Sequence, residues 1–185
     1  MIKTKPIARQ CIDIHTKEDL FDWFEKEYRL ALEYIGIRSR KYIYNINEKK
    51  RRISCPIGKK VIVLIRIKEM YIRVPENQMS LTVVESISTD RKAIPPTVIV
   101  PRWKYIESWF HENITGYELL TLSPFRYINK GICLICLDYF IKHNNCRPNK
   151  PWRILLIDSA KYHEAPEFIL KAKINRIWLV KFPSH

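Results

Sequence analysis

Residues Trp152–His163, WRILLIDSAKYH, contain the stretch that decides the fold. Four consecutive aliphatic residues, Ile154–Ile157, end in a single carboxylate, Asp158. An uninterrupted run of this length predicts a strand that is buried on both faces, which is typical of a sheet with helices on each side. An acid at the carboxyl end of such a strand lies where open α/β sheets place their chemistry. The alternative is that Asp158 only caps the turn that follows, since Asp is a common turn residue.

The rest of the chain supplies further strands and helices around this strand. Apolar spacing predicts an amphipathic helix that ends at Gly36, with a core-facing stripe of Leu20, Phe24, Tyr28, Ala31 and Ile35. Strands are predicted at 41–47, 61–67, 81–87, 97–100, 154–157 and 177–182, and helices at 106–111, 130–143 and 167–175. This order predicts a mixed α/β sheet flanked by helices. It forms one domain, 16–185, behind a basic arm, 1–15.

Two of these elements carry more specific expectations. Pro95, Pro96 and Pro101 bracket Thr97–Val100, so this strand is predicted at an end or edge of the sheet. The helix that Asn129 is expected to cap is apolar nearly all round, which predicts a buried helix.

The chain carries a large excess of positive charge, since 33 Lys and Arg residues against 19 Asp and Glu residues give a formal net charge of +14. Such an excess favours a polyanionic partner, most simply nucleic acid. The alternative is a basic, solvated surface that binds no polyanion, because the net charge would then be the same. Glu48–Arg52 is predicted to be an exposed basic turn, and the candidate nucleic-acid-binding residues are Lys49, Lys50, Arg51 and Arg52.

Other classes of protein are disfavoured by what the sequence contains. The first residues lack the apolar core of a signal peptide, and the densest apolar run, Ile132–Leu137, is far shorter than the roughly 20 residues of a membrane span. An intracellular, non-secreted, soluble protein with reduced cysteines is expected. Cys133, Cys136, His143 and Cys146 superficially suggest a zinc site, but their spacing matches no zinc knuckle, so core cysteines are predicted and zinc is not.

Two ordered motifs resemble a known family. Tyr44–Lys49, YNINEK, resembles the motif Y-N-M-D-E-T/K-G of mariner/pogo-type transposases, in particular their fungal (Fot-like) and Tigger-like DDE superfamily endonuclease domains. Leu155–His163, LLIDSAKYH, resembles their motif L-L-x-D-G-H-x-S-H. The helix before the first motif, the segment around Pro95 and the terminal Phe182–His185 are similar too.

The resemblance implies a ribonuclease H-like fold in which three acids hold two Mg²⁺ ions that cut and join DNA strands. Asp158 stands at the second acid's position, and Asn47 stands in place of the first. The resemblance puts the third acid, with its helix, beyond His185, so the domain is expected to be partial and its catalytic helix missing. Lys50 and Ser159 stand where the family motifs have glycine.

The resemblance therefore predicts a degenerate, transposase-derived domain that binds nucleic acid non-specifically and is catalytically inactive. Asp158 is its vestigial catalytic residue and a weak candidate metal ligand, and Mg²⁺ is not expected to bind productively. A nuclear location is expected, and an uncovered sheet face is expected to favour oligomerisation or aggregation. The alternatives are an interaction or structural remnant without a DNA role, and an active metal-dependent endonuclease completed by another chain.

Overall fold

The computed structural model describes residues 17–52, 80–101, 116–123 and 128–183. A six-stranded sheet comprises β1 (Ile43–Arg52), β2 (Ser80–Ser88), β3 (Ala93–Val100), β4 (Leu119–Leu122), β5 (Arg153–Ile157) and β6 (Ile177–Lys181). Its order is β4-β3-β2-β1-β5-β6. β1, β5 and β6 run parallel, β2 is antiparallel to β1 and β3, and β4 is parallel to β3. The predicted mixed sheet is confirmed.

β5 is the buried strand that the aliphatic run predicts, although it is not central, since it lies between β1 and the edge strand β6. Ile154, Leu155 and Ile157 are all 0% exposed. Ile154 belongs to the apolar cluster on one face of the sheet, and Leu155 and Ile157 belong to the cluster on the other. Because both faces of β5 are covered, the side chains from Ile154 to Ile157 are all apolar, and the alternation seen in half-exposed strands is absent.

Helices cover both faces of this part of the sheet. α3 (Lys130–His143) and α4 (Pro166–Ile174) pack on one face, where Phe140 and Phe168 meet Tyr44 of β1. The Asn129 side chain caps α3 as predicted, since its oxygen accepts a hydrogen bond of 2.9 Å from the Ile132 amide. α3 is not buried all round, however, because Ile135 is 43% exposed.

The other face is covered by the first helical region. It consists of α1 (Lys17–Asp22), a π-helical segment (Trp23–Arg29) and α2 (Leu30–Ile35), and Gly36 ends it in the left-handed conformation. The second half of the predicted stripe is correct, since Tyr28, Ala31 and Ile35 pack against the sheet. The first half is wrong, because Leu20 and Phe24 are 44% and 52% exposed and Trp23 is buried instead. The wider π turn changes the phase of the helix between its two halves.

Two strands differ from expectation. β1 continues through Arg52, paired with β2 to its end, so Glu48–Arg52 is strand and not turn. β3 begins at Ala93 and lies between β2 and β4, not at an edge. Its register with β2 shifts between Val84 and Ser86, opposite Pro95 and Pro96. The regular hydrogen-bond pattern is interrupted at this point, so the sheet tolerates two residues that have no amide N–H to donate.

Other predicted elements match or cannot be compared. β2, α4 and β6 agree with the prediction to within a residue or two at each end. The predicted strand 61–67 and helix 106–111 lie outside the described residues. β4 was not predicted at all, because four residues give too short a pattern to separate from a loop.

Candidate functional site

Parallel pairing brings the two motifs of the sequence together at the carboxyl end of β5. Ile43 pairs with Ile154 and Asn45 with Leu156. Asn47 and Asp158 each lie two residues beyond the last of these pairs. Both residues line one cavity.

The Asp158 carboxylate is engaged by its own turn. Its Oδ1 accepts a hydrogen bond of 3.1 Å from the Ala160 amide and lies 3.0 Å from Nδ1 of His163. The first contact is the local turn interaction that Asp commonly makes. Asp158 therefore caps the turn after β5 and also lines the cavity, so the two interpretations of this residue are compatible. Its side chain is 60% exposed.

His163 is the buried member of this pair. Its side chain is 9% exposed and its ring packs against Phe168, with 5.2 Å between the ring centroids. Burial lowers the pKa of His163 below its usual value, and the nearby Asp158 opposes that shift only in part. The imidazole is therefore neutral at pH 7, with Nδ1–H facing the Asp158 carboxylate.

A second carboxylate, Glu48, lies in the same cavity and was missed in the sequence. The Tyr162 hydroxyl donates a hydrogen bond of 2.9 Å to Glu48 Oε2. Burial, followed by the charge of Glu48, raises the pKa of Tyr162 far above its usual value, so the hydroxyl stays protonated. The alternation of side chains along the strand could have identified Glu48 in the sequence, because it places Glu48 on the same face of β1 as Tyr44 and Ile46.

The cavity between these groups is small. It has a polar rim of Asn47, Glu48, Asp158, Tyr162 and His163 and an apolar floor that includes Cys133 and Phe140. Its volume of about 20 Å³ accommodates one water molecule or one bare ion, and it is too small for an organic ligand.

The donors present do not fit a site for two divalent ions. Such a site needs several carboxylates that converge on the metals. Glu48 already accepts from Tyr162, Asp158 is engaged by His163 and Ala160, and Asn47 offers a neutral carboxamide. Within residues 17–52, 80–101, 116–123 and 128–183, no group of three or more His, Cys, Asp or Glu side chains is arranged to hold a metal ion.

The basic run has a different setting from the predicted turn. Lys49, Lys50 and Arg51 are exposed on β1. Lys49 Nζ forms an ion pair of 3.1 Å with Glu85 on β2, so part of its charge is neutralised locally. Arg52 ends the strand.

Three cysteines of the superficial zinc pattern are buried free thiols. Burial raises the pKa of Cys133 to about 12 and the pKa values of Cys136 and Cys146 to about 11. Metals bind the thiolate, so protonated thiols at these values are poor ligands. Cys133 and Cys136 contribute to two different apolar clusters, and His143 is exposed at the end of α3.

The described architecture, a mixed six-stranded sheet flanked by helices, is similar to the ribonuclease H-like fold of Mos1 mariner transposase structures. The Mos1 mariner paired end complexes with Mg and with Mn each match at 13% identity and a TM-score of 0.57, over 100% of this chain and 48% of that chain. The Mos1 transposase paired-end complex with left transposon end matches at 12% identity and a TM-score of 0.55, over 97% of this chain and 47% of that chain. These likenesses establish the fold.

Sequence comparison adds little to this likeness. A protein of Cochliobolus lunatus named MFS-type transporter clz9 is 24% identical over 111 residues, which are 60% of this chain and 12% of that protein. No protein-family model matches the chain. The chain thus spans about half the length of the Mos1 chains and a small part of the curated relative. No helix in the described part of the chain is both long and apolar enough to cross a membrane.

Proposed function

We propose that this chain is a transposase-derived domain of the pogo, Tigger-like or Fot-like type that binds DNA through phosphate contacts and does not cut it. The likeness to the Mos1 complexes supports a transposase origin, and the two ordered motifs support the subtype. The net charge of +14 supports a polyanionic partner. The observation that carries the proposal is that Asn47, within β1, and Asp158, directly after β5, line the same cavity.

The loss of cleavage follows from the charge at that position. Two-ion catalysis clamps the attacking and the leaving oxygen between metals whose charge is balanced by carboxylates. A carboxamide at position 47 offers an oxygen without a charge, and Asp158 shares its Oδ1 between Ala160 and His163. Asp158 is then a vestigial catalytic residue, and Mg²⁺ does not bind productively.

Cleavage is tested by nicking of supercoiled plasmid in the presence of Mg²⁺ or Mn²⁺. The expected result is that the parent protein and Asp158→Ala leave the plasmid equally intact. Nicking by the parent that Asp158→Ala abolishes would overturn the proposal and support an endonuclease that another chain completes.

Binding is tested with labelled duplex DNA over a range of salt concentrations. Affinity should fall linearly on a log–log plot, with a slope of about −0.9 for each phosphate contacted, and should not depend on sequence. If the protein binds no DNA at low salt, the interaction or structural remnant without a DNA role is the better function.

Two further properties belong to the same proposal. A DNA partner implies a nuclear location, which a fluorescent fusion would test. Exposed apolar side chains, among them Ile87 on β2 at 47% and Ile174 on α4 at 64%, favour self-association, which light scattering would detect.

A further inference from the structure

The connections at the amino ends of the parallel strands form a cationic end of the sheet, which we call the amino pole. It comprises residues 36–42, 89–92, 144–152 and 175–176, which lead into β1, β3, β5 and β6. The first, third and fourth share an end because β1, β5 and β6 are parallel. The second joins them because β2 is antiparallel to β1, and the Thr89 amide donates a hydrogen bond of 2.9 Å to the Ile43 carbonyl.

Charge is strongly biased on this surface. The exposed cations are Arg38, Arg40, Lys41, Arg91, Lys92, Arg147, Lys150 and Arg176. The one acid in the four connections is Asp90, which accepts a hydrogen bond from Ser88 and pairs with Lys92 at 3.8 Å. The opposite end of the sheet carries the acids Glu48 and Asp158, which we call the acid cluster, together with the basic run Lys49–Arg52. The amino pole differs in combining eight exposed cations with one acid, so it attracts an anionic ligand.

A cavity of about 370 Å³ opens in the amino pole, within the range of about 300–1,000 Å³ typical of small-ligand sites. It is lined by Ile35–Ser39, Tyr42, Pro151, Trp152 and Arg176, and this lining includes two arginines and no carboxylate. Neither Arg38 nor Arg176 forms an ion pair with a carboxylate in the described residues. Two guanidinium groups at one cavity suit a phosphate, which they bind through planar, paired donors.

Aromatic rings lie beside these cations. The Arg176 guanidinium carbon is 5.9 Å from the centroid of the Trp152 ring. Trp152 lines the cationic cavity and contacts Trp178 edge-on, with 6.2 Å between ring centroids. Trp178 and Tyr34 line a neighbouring cavity that also holds Glu27 and Glu33. One ring beside two cations suits an unpaired nucleotide, since its base stacks on the ring and the backbone follows the charges.

Two residues of the amino pole have a left-handed backbone because they end helices. Asn145 follows the C-cap of α3 and Arg176, with φ of 56°, follows the C-cap of α4. Gly or Asn is more usual than Arg at such a position, so a substitution of Arg176 is best made with Asn.

We propose that the amino pole binds a single-stranded DNA segment, with one unpaired base stacked on Trp152 and its neighbouring phosphates at Arg38 and Arg176. This inference rests on the proposed function, and it locates the interface away from the predicted cluster Lys49–Arg52. Trp152 precedes Asp158 by six residues along an extended strand, so the two sites are about 20 Å apart. The DNA strand therefore lies at the end of the sheet opposite the acid cluster.

The location is tested by removing two charges from either end of the sheet. Arg38→Gln with Arg176→Asn neutralises the cavity and puts a suitable residue at the positive φ, while Lys50→Gln with Arg51→Gln removes two charges from the predicted cluster on β1, which is the rival location. Binding of a labelled oligothymidylate is followed by fluorescence anisotropy across salt concentrations. The first pair should make the log–log salt slope shallower by about 1.4, at about 0.7 for each phosphate on a single strand, and the second pair should change the slope by less. The reverse pattern overturns the proposal.

Stacking is tested at Trp152 with normal and abasic strands of equal length. Trp152→Leu should weaken binding of the normal strand by roughly 5- to 150-fold, the range for one stacked base, and should leave the abasic strand unaffected. Trp152→Phe, which keeps a ring, should recover most of the affinity. Equal losses on both strands would mean that Trp152 only supports the fold, and would overturn the stacking. Thermal unfolding of each variant checks folding, and if Trp152→Leu unfolds, Trp152→Phe and the arginine pair decide.

Two different outcomes distinguish failure of this inference from failure of the proposed function. If the parent protein binds neither duplex nor single-stranded DNA at low salt, both are wrong. If it binds DNA and the amino-pole variants bind as the parent does, the proposed function stands and the amino pole is excluded as the interface.

Discussion

Nδ1 of His163 lies 3.0 Å from Oδ1 of Asp158, which ties the 3₁₀ turn Lys161–Glu164 back to the end of β5. The histidine side chain is 9% exposed and the aspartate side chain is 60% exposed. Because burial lowers the pKa of His163 below its usual value, its ring is neutral at pH 7 and the contact is a hydrogen bond rather than a salt bridge.

This pair predicts a pH dependence of stability. The folded-state pKa of His163 is lower than the unfolded value of about 6.5, so the unfolded chain binds more protons as the pH falls below that value. Stability should be fully present above about pH 6.5 and be lost on acidification toward the folded pKa, by at most about 1.4 kcal/mol per pH unit. Urea unfolding at several pH values measures this loss. His163→Gln should remove it, and the exposed His143→Gln should not; an unchanged profile in both variants would contradict it.

Loss of the Tyr162 hydroxyl should destabilise the fold. Tyr162→Phe removes the donor to the half-buried Glu48 carboxylate and keeps the ring, so the free energy of unfolding should fall by about 1–3 kcal/mol. Denaturant midpoints measure the change. Tyr162→Phe combined with Glu48→Gln should recover part of the loss, because a neutral amide is less costly to leave without this donor. A single variant as stable as the parent would show that water replaces the hydroxyl.

Restoring the first acid alone should not restore cleavage. Asn47→Asp adds a third carboxylate to the cavity that Glu48 and Asp158 line, but Glu48 is still engaged by Tyr162 and Asp158 by Ala160 and His163, so the three do not converge on two ions. Plasmid nicking with Mg²⁺ or Mn²⁺ should remain at background, and the protein should be slightly less stable at neutral pH. Nicking by Asn47→Asp, removed again by Asp158→Ala, would mean that two acids and Glu48 suffice.

The π-helical segment predicts opposite responses at adjacent positions. The Trp23 Nε1–H donates to the Lys181 carbonyl at 2.5 Å, and its ring stacks on Phe182 with 5.3 Å between centroids. Trp23→Ala should therefore lower the free energy of unfolding by about 3–5 kcal/mol, the usual range for a buried Trp. Phe24→Ala, at a site 52% exposed, should cost less than about 1 kcal/mol. Equal costs, or a larger cost at Phe24, would contradict the observed helix phase.

The parts of the fold that could be predicted from sequence are those set by local pattern. The aliphatic run of β5, the Asn129 cap of α3 and Pro166 at the start of α4 each encode their element over a few residues. The parts that could not be predicted depend on the partner strand or helix. Pro95 and Pro96 are tolerated inside the sheet only because the register with β2 shifts opposite them.

The candidate site divides in the same way. Asp158 could be singled out because it ends an aliphatic strand, and Asn47 because it stands within the motif Tyr44–Lys49, although β1 does not end there. Glu48 was hidden by the charged run that follows it, although strand alternation puts it on the face of Tyr44. The amino pole could not be predicted, because its cations come from four connections that meet only when β1, β5 and β6 align in parallel.

β1 extends well beyond its pairing with its parallel neighbour, β5, and this extension affects how β1 can pair with a second copy of the chain. β5 pairs with β1 only at Ile43–Asn45, whereas β2 pairs with β1 from Tyr44 to Arg52. Strand edges are templates for pairing with another chain, and natural proteins commonly block them with lysines and other charges. Lys49, Lys50 and Arg51 are exposed on the part of β1 beyond β5. Their charge should therefore oppose edge-to-edge pairing of β1 with a second copy of the chain.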